Sequence, residues 1–235
     1  MNLNGATALV TGGSSGIGLA IANALIAGGA RVAITGRNTA RLTAAATAIG
    51  AHPVHADVAK EADVLRTYTE VLQQFDHLDI LVNNAGFGVI TPLIELELSD
   101  FERVFGTNVT GAMLMAREAA RHFIERRSGN IINIGSTASH RGSARGTAYY
   151  GSKFALRGMT ECWRAELRPY NVRVVLVNPS EVLTDFYATA GLPQAQENPT
   201  KLHADDIAHA VRAALEMDDR GFTTELTVFA TNPQD

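Results

Sequence analysis

Seven short apolar runs alternate with longer helical patterns along this 235-residue chain, and that alternation predicts an α/β fold. Two further observations narrow it. The runs are almost continuously apolar rather than alternating, as strands covered on both faces require. The first run also opens directly into a glycine-rich turn. Together these predict a single doubly wound Rossmann-type domain over residues 1–235, with a seven-stranded parallel sheet, right-handed crossovers and flanking helices.

The predicted strands are ATALVT (6–11), RVAIT (31–35), PVHADV (53–58), DILVNN (79–84), NIINIG (130–135), VRVVLVN (172–178) and TELTVFA (224–230). Helical patterns fall at Arg41–Ile49, Ala62–Gln74, Asp100–Arg127, Tyr149–Leu167 and Asp205–Glu216. Gly28-Gly29, Gly50 and Gly129 stand where helix C-terminal caps are wanted. Pro179–His203 is irregular and longer than most loops inside a domain, so a substrate flap is expected around residues 183–203.

Composition excludes several classes. A net charge of −4 without clustered Lys and Arg argues against a nucleic-acid surface. The single cysteine, Cys162, permits no internal disulfide and suits a reducing compartment. The N-terminus lacks a basic region before its first apolar run, and the uncharged stretch Thr11–Ala30 is too rich in Gly and Ser to span a membrane. A soluble cytoplasmic protein is expected. His52 and His55 are spaced like metal ligands but have no Cys or carboxylate at ligand spacing, so no metal site is expected.

The glycine turn reads Gly12-x-x-x-Gly16-x-Gly18, unlike the G-x-G-x-x-G dinucleotide fingerprint. Leu19 stands where a Walker loop needs lysine. The physics still suits a pyrophosphate: glycines let the backbone approach, Ser14 and Ser15 offer hydroxyls, and Ile17 lies in a first helical turn with free N–H groups. A tight turn without a ligand is the plainer alternative.

TGGSSGIG (11–18), NNAG (83–86), Ser136 and Tyr149-x-x-x-Lys153, in this order over about Ala6–Thr184, together resemble the short-chain dehydrogenase/reductase family, with the 3-oxoacyl-acyl-carrier-protein reductases as the nearest-sounding type. The resemblance implies adenine contacts from Asp57 and Val58, and a segment, Asn83, Ala85 and Gly86, that closes over the adenosine side. It further implies that Ser136 hydrogen-bonds the substrate oxygen, Tyr149 transfers the proton, and Lys153 binds ribose hydroxyls. Asn108 matches the asparagine that holds a water relay behind the lysine. Pro179, Val182 and Thr184 would meet the nicotinamide amide and phosphates.

The residues themselves discriminate further. A carboxylate ending the second strand of such a fold would bind the ribose 2′-hydroxyl, whereas arginine accommodates a 2′-phosphate. Here Gly36 takes that place and Arg37 follows, favouring NADPH over NADH, although Arg37 also reads as a solvated loop charge. A tyrosine titrating near 10 needs a cation to become a useful acid. Four residues past Tyr149 is Lys153, and four past Tyr150 is Phe154, so helical spacing gives only Tyr149 a partner. Asn108 interrupts a helical pattern, where it competes for backbone bonds, and such broken rules mark functional sites.

Ser180 replaces the glycine usual after the family's Pro, and the C-terminus lacks the common Asp-Gly-Gly, leaving dimer and tetramer both open. His140 and Arg141 suit either the substrate mouth or a solvated loop. Arg126 and Arg127 suit a helix C-terminus, and basic residues near that edge dock the acidic carrier in acyl-carrier-protein reductases of the family. Phe87, Phe186, Tyr187 and Leu192 give the pocket an apolar character. The expected activity is reversible, NADPH-dependent reduction of a ketone, with a 3-oxoacyl thioester as candidate substrate. The alternatives are a dehydrogenase of a small hydroxy acid, sugar or other alcohol, and a non-catalytic nucleotide sensor.

Overall fold

The computed structural model describes residues 1–184, 186, 190 and 200–232. Seven strands, β1 (Thr7–Val10), β2 (Arg31–Gly36), β3 (His52–His55), β4 (Ile80–Asn83), β5 (Gly129–Ile134), β6 (Val172–Pro179) and β7 (Glu225–Val228), form one parallel sheet in the order β3-β2-β1-β4-β5-β6-β7. The order reverses between β1 and β4. Ligands of open α/β sheets bind beyond the carboxyl ends of the strands at such a reversal.

Strand periodicity sorts the core into two layers. Ala8, Val10, Ile80, Val82, Ile132 and Val175 face α1 (Gly16–Ala27), α2 (Thr39–Ile49) and α7 (Ala204–Glu216). Leu9, Leu81, Ile131 and Val174 face α3 (Glu61–Phe75) and α5 (Ala112–Arg126). Each fully buried Leu, Ile or Val of these layers contributes about 1.5–3 kcal/mol of transfer free energy. α4 (Leu98–Phe105) and α6 (Thr147–Leu167) complete the helices that bear on the site.

Three expectations are corrected. The helix predicted over Asp100–Arg127 is interrupted by a π-helical stretch, Gly106–Gly111, which separates α4 from α5 and holds Asn108. Gly111 packs so closely that a side chain there would meet Val58 Cγ2 at 2.7 Å. The third strand stops at His55, which leaves Asp57 and Val58 in the following loop. Gly129 begins β5 and is no cap; Arg127, at φ 51°, closes α5 instead, and Gly129 is needed because a side chain would strike the Phe123 ring. Gly50, at φ 75°, is a left-handed cap as expected.

Much of the expected 183–203 flap lies outside the described residues, but its stem is described. Val182 pairs with Leu202 in a parallel bridge, Leu183 N–H donates to the Leu202 carbonyl at 2.9 Å, and Lys201 meets Glu181 at 2.6 Å.

Candidate active site

The glycine turn and the NNAG turn are built as one unit across the sheet reversal. Thr11 Oγ1 accepts from the Asn84 and Ala85 amides, both at 3.0 Å, while Asn84 Nδ2 donates to the Thr11 and Gly12 carbonyls. Gly12 (φ 64°) and Gly16 (φ 54°) occupy the left-handed region that favours glycine. A side chain on Gly18 would overlap Asn84 Nδ2 and come within 2.5 Å of the Gly12 carbonyl oxygen. Ser15 is the N-cap of α1 yet makes no side-chain capping bond, so the first N–H groups of the helix, around Ile17, face the carboxyl end of the sheet without a protein acceptor from that cap. Thr184 lies over this terminus, its methyl 3.4 Å from where a Gly16 side chain would begin. A glycine cradle, an uncapped helix end and nearby Ser14 fit a pyrophosphate. Gly18→Ala is expected to cost about 1–3 kcal/mol by overpacking, read as a lower melting temperature together with weaker nicotinamide-nucleotide binding.

At the carboxyl end of β2, a side chain on Gly36 would lie 3.2 Å from Ser14 Oγ. Arg37 is exposed, and its guanidinium has no ion-pair partner among the described residues. It borders a cleft of about 370 Å³ lined also by Asp57, Phe87, Ser99, Glu102, Arg103 and Thr107. Asp57 is pinned there by its own turn: Oδ1 accepts from Ala59 N–H at 3.1 Å and its N–H donates to Asp63 at 2.9 Å. Asn83 is turned inward, with Nδ2 joining the Ala112 carbonyl and Asn133 Oδ1. Its side chain therefore steadies the sheet, while Ala85 lies against Gly12 and Gly86 against Asn108 Oδ1.

α6 brings Tyr149 and Lys153 one turn apart, with Lys153 Nζ 5.8 Å from the centre of the Tyr149 ring. Lys153 is 6% exposed, donates to the Ile134 carbonyl at 2.8 Å, and burial pushes its ammonium down to about 8. Ser136 follows β5, where its Oγ accepts from Ala138 N–H at 3.1 Å. Asn108 is not aimed at the lysine directly. Its amide donates to the Phe87 carbonyl and Ser152 Oγ, both at 2.9 Å, and Oδ1 accepts from Phe87 N–H at 3.1 Å. Ser152 in turn donates to the Tyr149 carbonyl at 2.7 Å, so Asn108 ties the Phe87 loop to the helix turn bearing the tyrosine.

Phe186 packs 5.1 Å from Tyr149, and Gly88 leaves room for both rings, since a side chain there would lie 2.9 Å from Phe186 and 3.2 Å from Tyr149. This gives the expected apolar wall; Tyr187 and Leu192 lie outside the described residues. Tyr150 meets Tyr149 edge-on at 5.9 Å and fills the space above Gly146, a packing role. Pro179 ends β6, Val182 is buried, and Ser180 N–H donates to the Val228 carbonyl at 2.9 Å. Ser180 is not among the residues with positive φ, so this turn takes a serine without strain.

Other candidates have structural partners. His52 pairs with Glu70, and His55 donates to the Arg37 carbonyl. No three His, Cys, Asp or Glu among the described residues gather as metal ligands would. Arg126 lies beside Asp79 and Arg127 donates to the Pro169 carbonyl, a strand's length from Ser136 at the amino ends of the sheet. Asn178, Glu225 and Ser152, outside the sequence expectations, also bond around the site. Asn178 carried the one readable signal, a polar residue of poor strand propensity ending an apolar run.

Phosphate cradle, buried lysine, tyrosine and serine at the carboxyl ends of a parallel sheet define the nucleotide-dependent oxidoreductase class of site. The family model described as short chain dehydrogenase matches residues 6–194. An oxidoreductase, asL5, of Sarocladium schorii is 34% identical over 94% of this chain and 92% of its own. A metagenomic short-chain oxidoreductase in complex with NADP superposes with a TM-score of 0.86 at 32% identity, covering 99% of this chain and 100% of its own. A 3-ketoacyl-(acyl-carrier-protein) reductase from Brucella melitensis complexed with NADH superposes at 0.89 with 32% identity, covering 97% and 98%. The chain belongs to the short-chain dehydrogenase/reductase family. It is an NAD(P)-dependent oxidoreductase acting on alcohols or ketones.

Proposed function

We propose that this enzyme reduces a ketone to a secondary alcohol with NADPH, reversibly, and that a 3-oxoacyl thioester is a candidate substrate. The observation that carries the proposal is the buried Lys153 one helical turn from Tyr149, with Ser136 leaving the neighbouring strand. The overall change is ketone plus NADPH plus a proton to alcohol plus NADP+, the bound dinucleotide supplying the hydride. Ser136 Oγ donates to the carbonyl oxygen and holds it beside the Tyr149 hydroxyl. Tyr149 gives its proton to that oxygen as charge develops there. The Lys153 ammonium favours the resulting phenolate and is itself held by the Ile134 carbonyl. Asn108, through Ser152 and the Tyr149 carbonyl, sets the helix turn, and a water held behind Lys153 would return the proton.

For the cofactor, support comes from the absence of a carboxylate at Gly36, from Arg37, whose guanidinium has no ion-pair partner among the described residues, and from the neighbour that binds NADP; the neighbour complexed with NADH makes both cofactors necessary arms of the test. Phe186 and Gly88 support an apolar substrate next to the reacting oxygen. The same proposal places the enzyme in the cytoplasm as a homodimer or homotetramer, supported by exposed Leu93, Ile94 and Leu98, and keeps an acyl carrier protein as candidate partner. Among the described residues no helix is long and apolar enough to cross a membrane.

The test is a ketone panel that includes a 3-oxoacyl thioester, run with NADPH and NADH. Turnover favouring NADPH is expected. Arg37→Ala should raise the KM for NADPH by roughly 10–100-fold, the worth of a hydrogen bond to a charged group, while leaving the NADH constants within about 2-fold. Equal loss with both cofactors would remove the 2′-phosphate role from Arg37.

A further inference from the structure

Behind Ser136 lies a chain of hydrogen bonds that the reduction proposed above does not itself use. Ser136 N–H donates to Asn178 Oδ1 at 3.2 Å, and also to Ser139 Oγ at 3.2 Å. Asn178 is wholly buried at the end of β6, and its Nδ2 donates to Glu225 Oε1 at 2.7 Å. His140 Nε2 stands 2.8 Å from the same carboxylate oxygen and 3.1 Å from Asn178 Nδ2. A carboxylate only accepts, so both nitrogens turn hydrogens towards it, and Nε2 is the protonated nitrogen of His140. The short approach between the two nitrogens is then two donors converging on one acceptor. On the far side, Arg157 Nε lies 4.0 Å from Glu225 Oε2 and 3.4 Å from Glu161.

This arrangement fixes which way the Asn178 amide points. Its N–H side must face Glu225, so its oxygen faces Ser136. Without an acceptor at 225 the amide could turn over and set a donor against the Ser136 N–H. The sheet register supports the geometry: Leu176 pairs with Glu225 and Asn178 with Thr227, which puts Glu225 diagonal to Asn178 on one face. Gly135 is shaped for it too, because a side chain there would collide with Asn178 Oδ1 and reach within 3.0 Å of Ser139 Oγ.

We propose that Glu225, on the last strand of the sheet, acts with Asn178 and His140 as a positioning device that sets the Ser136 backbone and so aims its hydroxyl at the substrate carbonyl. It rests on the carbonyl-reductase role of Ser136 proposed above. Glu225 touches neither substrate nor cofactor in this scheme; it acts through Asn178.

Glu225→Ala and Glu225→Gln test it, since residue 225 is half-buried and a folded variant is expected from either. Glu225→Ala should lower kcat about 10-fold, the loss of one hydrogen bond to a charged group, with the NADPH dissociation constant within about 2-fold of the parent. Glu225→Gln keeps an acceptor oxygen and should recover kcat to within about 3-fold of the parent. Hydrogen exchange at the Ser136 amide supplies a readout independent of turnover, and it should quicken about 10-fold in Glu225→Ala but not in Glu225→Gln. Unchanged Ser136 exchange in Glu225→Ala would overturn the proposal. So would faster exchange spread evenly over β6 with a parallel loss of cofactor affinity, which marks a purely structural residue. A parent enzyme that reduces no ketone in the panel would sink the proposed reaction, and Ser136 exchange would still decide this device separately.

Discussion

Tyr149→Phe should lose at least about 100-fold in kcat for ketone reduction, the usual worth of a positioned general acid, while binding NADPH as the parent does. The control is Tyr150→Phe, expected to stay within about 3-fold, because that ring fills space above Gly146 and faces its neighbour edge-on. The pair of variants separates two adjacent tyrosines by function, using burst and steady-state rates together with a fluorescence titration of the cofactor. Survival of the parent rate in Tyr149→Phe would remove the proton donor from the mechanism. A loss in Tyr150→Phe equal to that in Tyr149→Phe would remove the spacing argument that chose between them.

Lys153→Met should have opposite effects on activity and stability. Activity should fall by about 100-fold or more, since no cation then favours the phenolate. Stability should rise near neutral pH. The ordinary lysine value of 10.5 drops to about 8 in the fold because burial disfavours the charged form, so at pH 7 the folded protein carries an ammonium at a cost. Removing it also strands the Ile134 carbonyl, and the net gain at pH 7 is expected on the order of 1 kcal/mol. The sign with pH follows from proton counting. Between about 8 and 10.5 the unfolded chain still holds the proton that the folded chain has released, so the parent gains stability as pH rises through that window. Chemical denaturation at pH 7, 9 and 10 should therefore show the advantage of Lys153→Met shrinking. A constant difference across the three values would contradict the depressed lysine.

The sheet, its parallel sense and its carboxyl-end site were legible because each strand is a buried apolar run and each turn carries a chemical signature. Tyr149 and Lys153 were legible because helical spacing is a local property. The polar support was not. Asn178 reaches Ser136, and Glu225 reaches Asn178, across 42 and 47 residues of chain, and no local period encodes such contacts. The π-helical turn at Gly106–Gly111 was also hidden: Asn108 announced an irregularity, but which bonds it would make depended on Phe87 and Ser152. His140 was open to two readings, and the structure gives it a third, a partner for Glu225.

The bridge between Val182 and Leu202, with the Lys201–Glu181 pair beside it, closes the chain from 183 to 201 into a ring whose stem belongs to the sheet end. Ring closure is a weak function of length: doubling the residues in such a ring costs only about 0.6 kcal/mol. Changes of chain length between these two points are therefore expected to leave Tyr149, Lys153 and Ser136 in their places. The length of chain beyond the bridge is thus separable from the fold that holds the tyrosine, the lysine and the serine, a modular arrangement in which one can change without rebuilding the other.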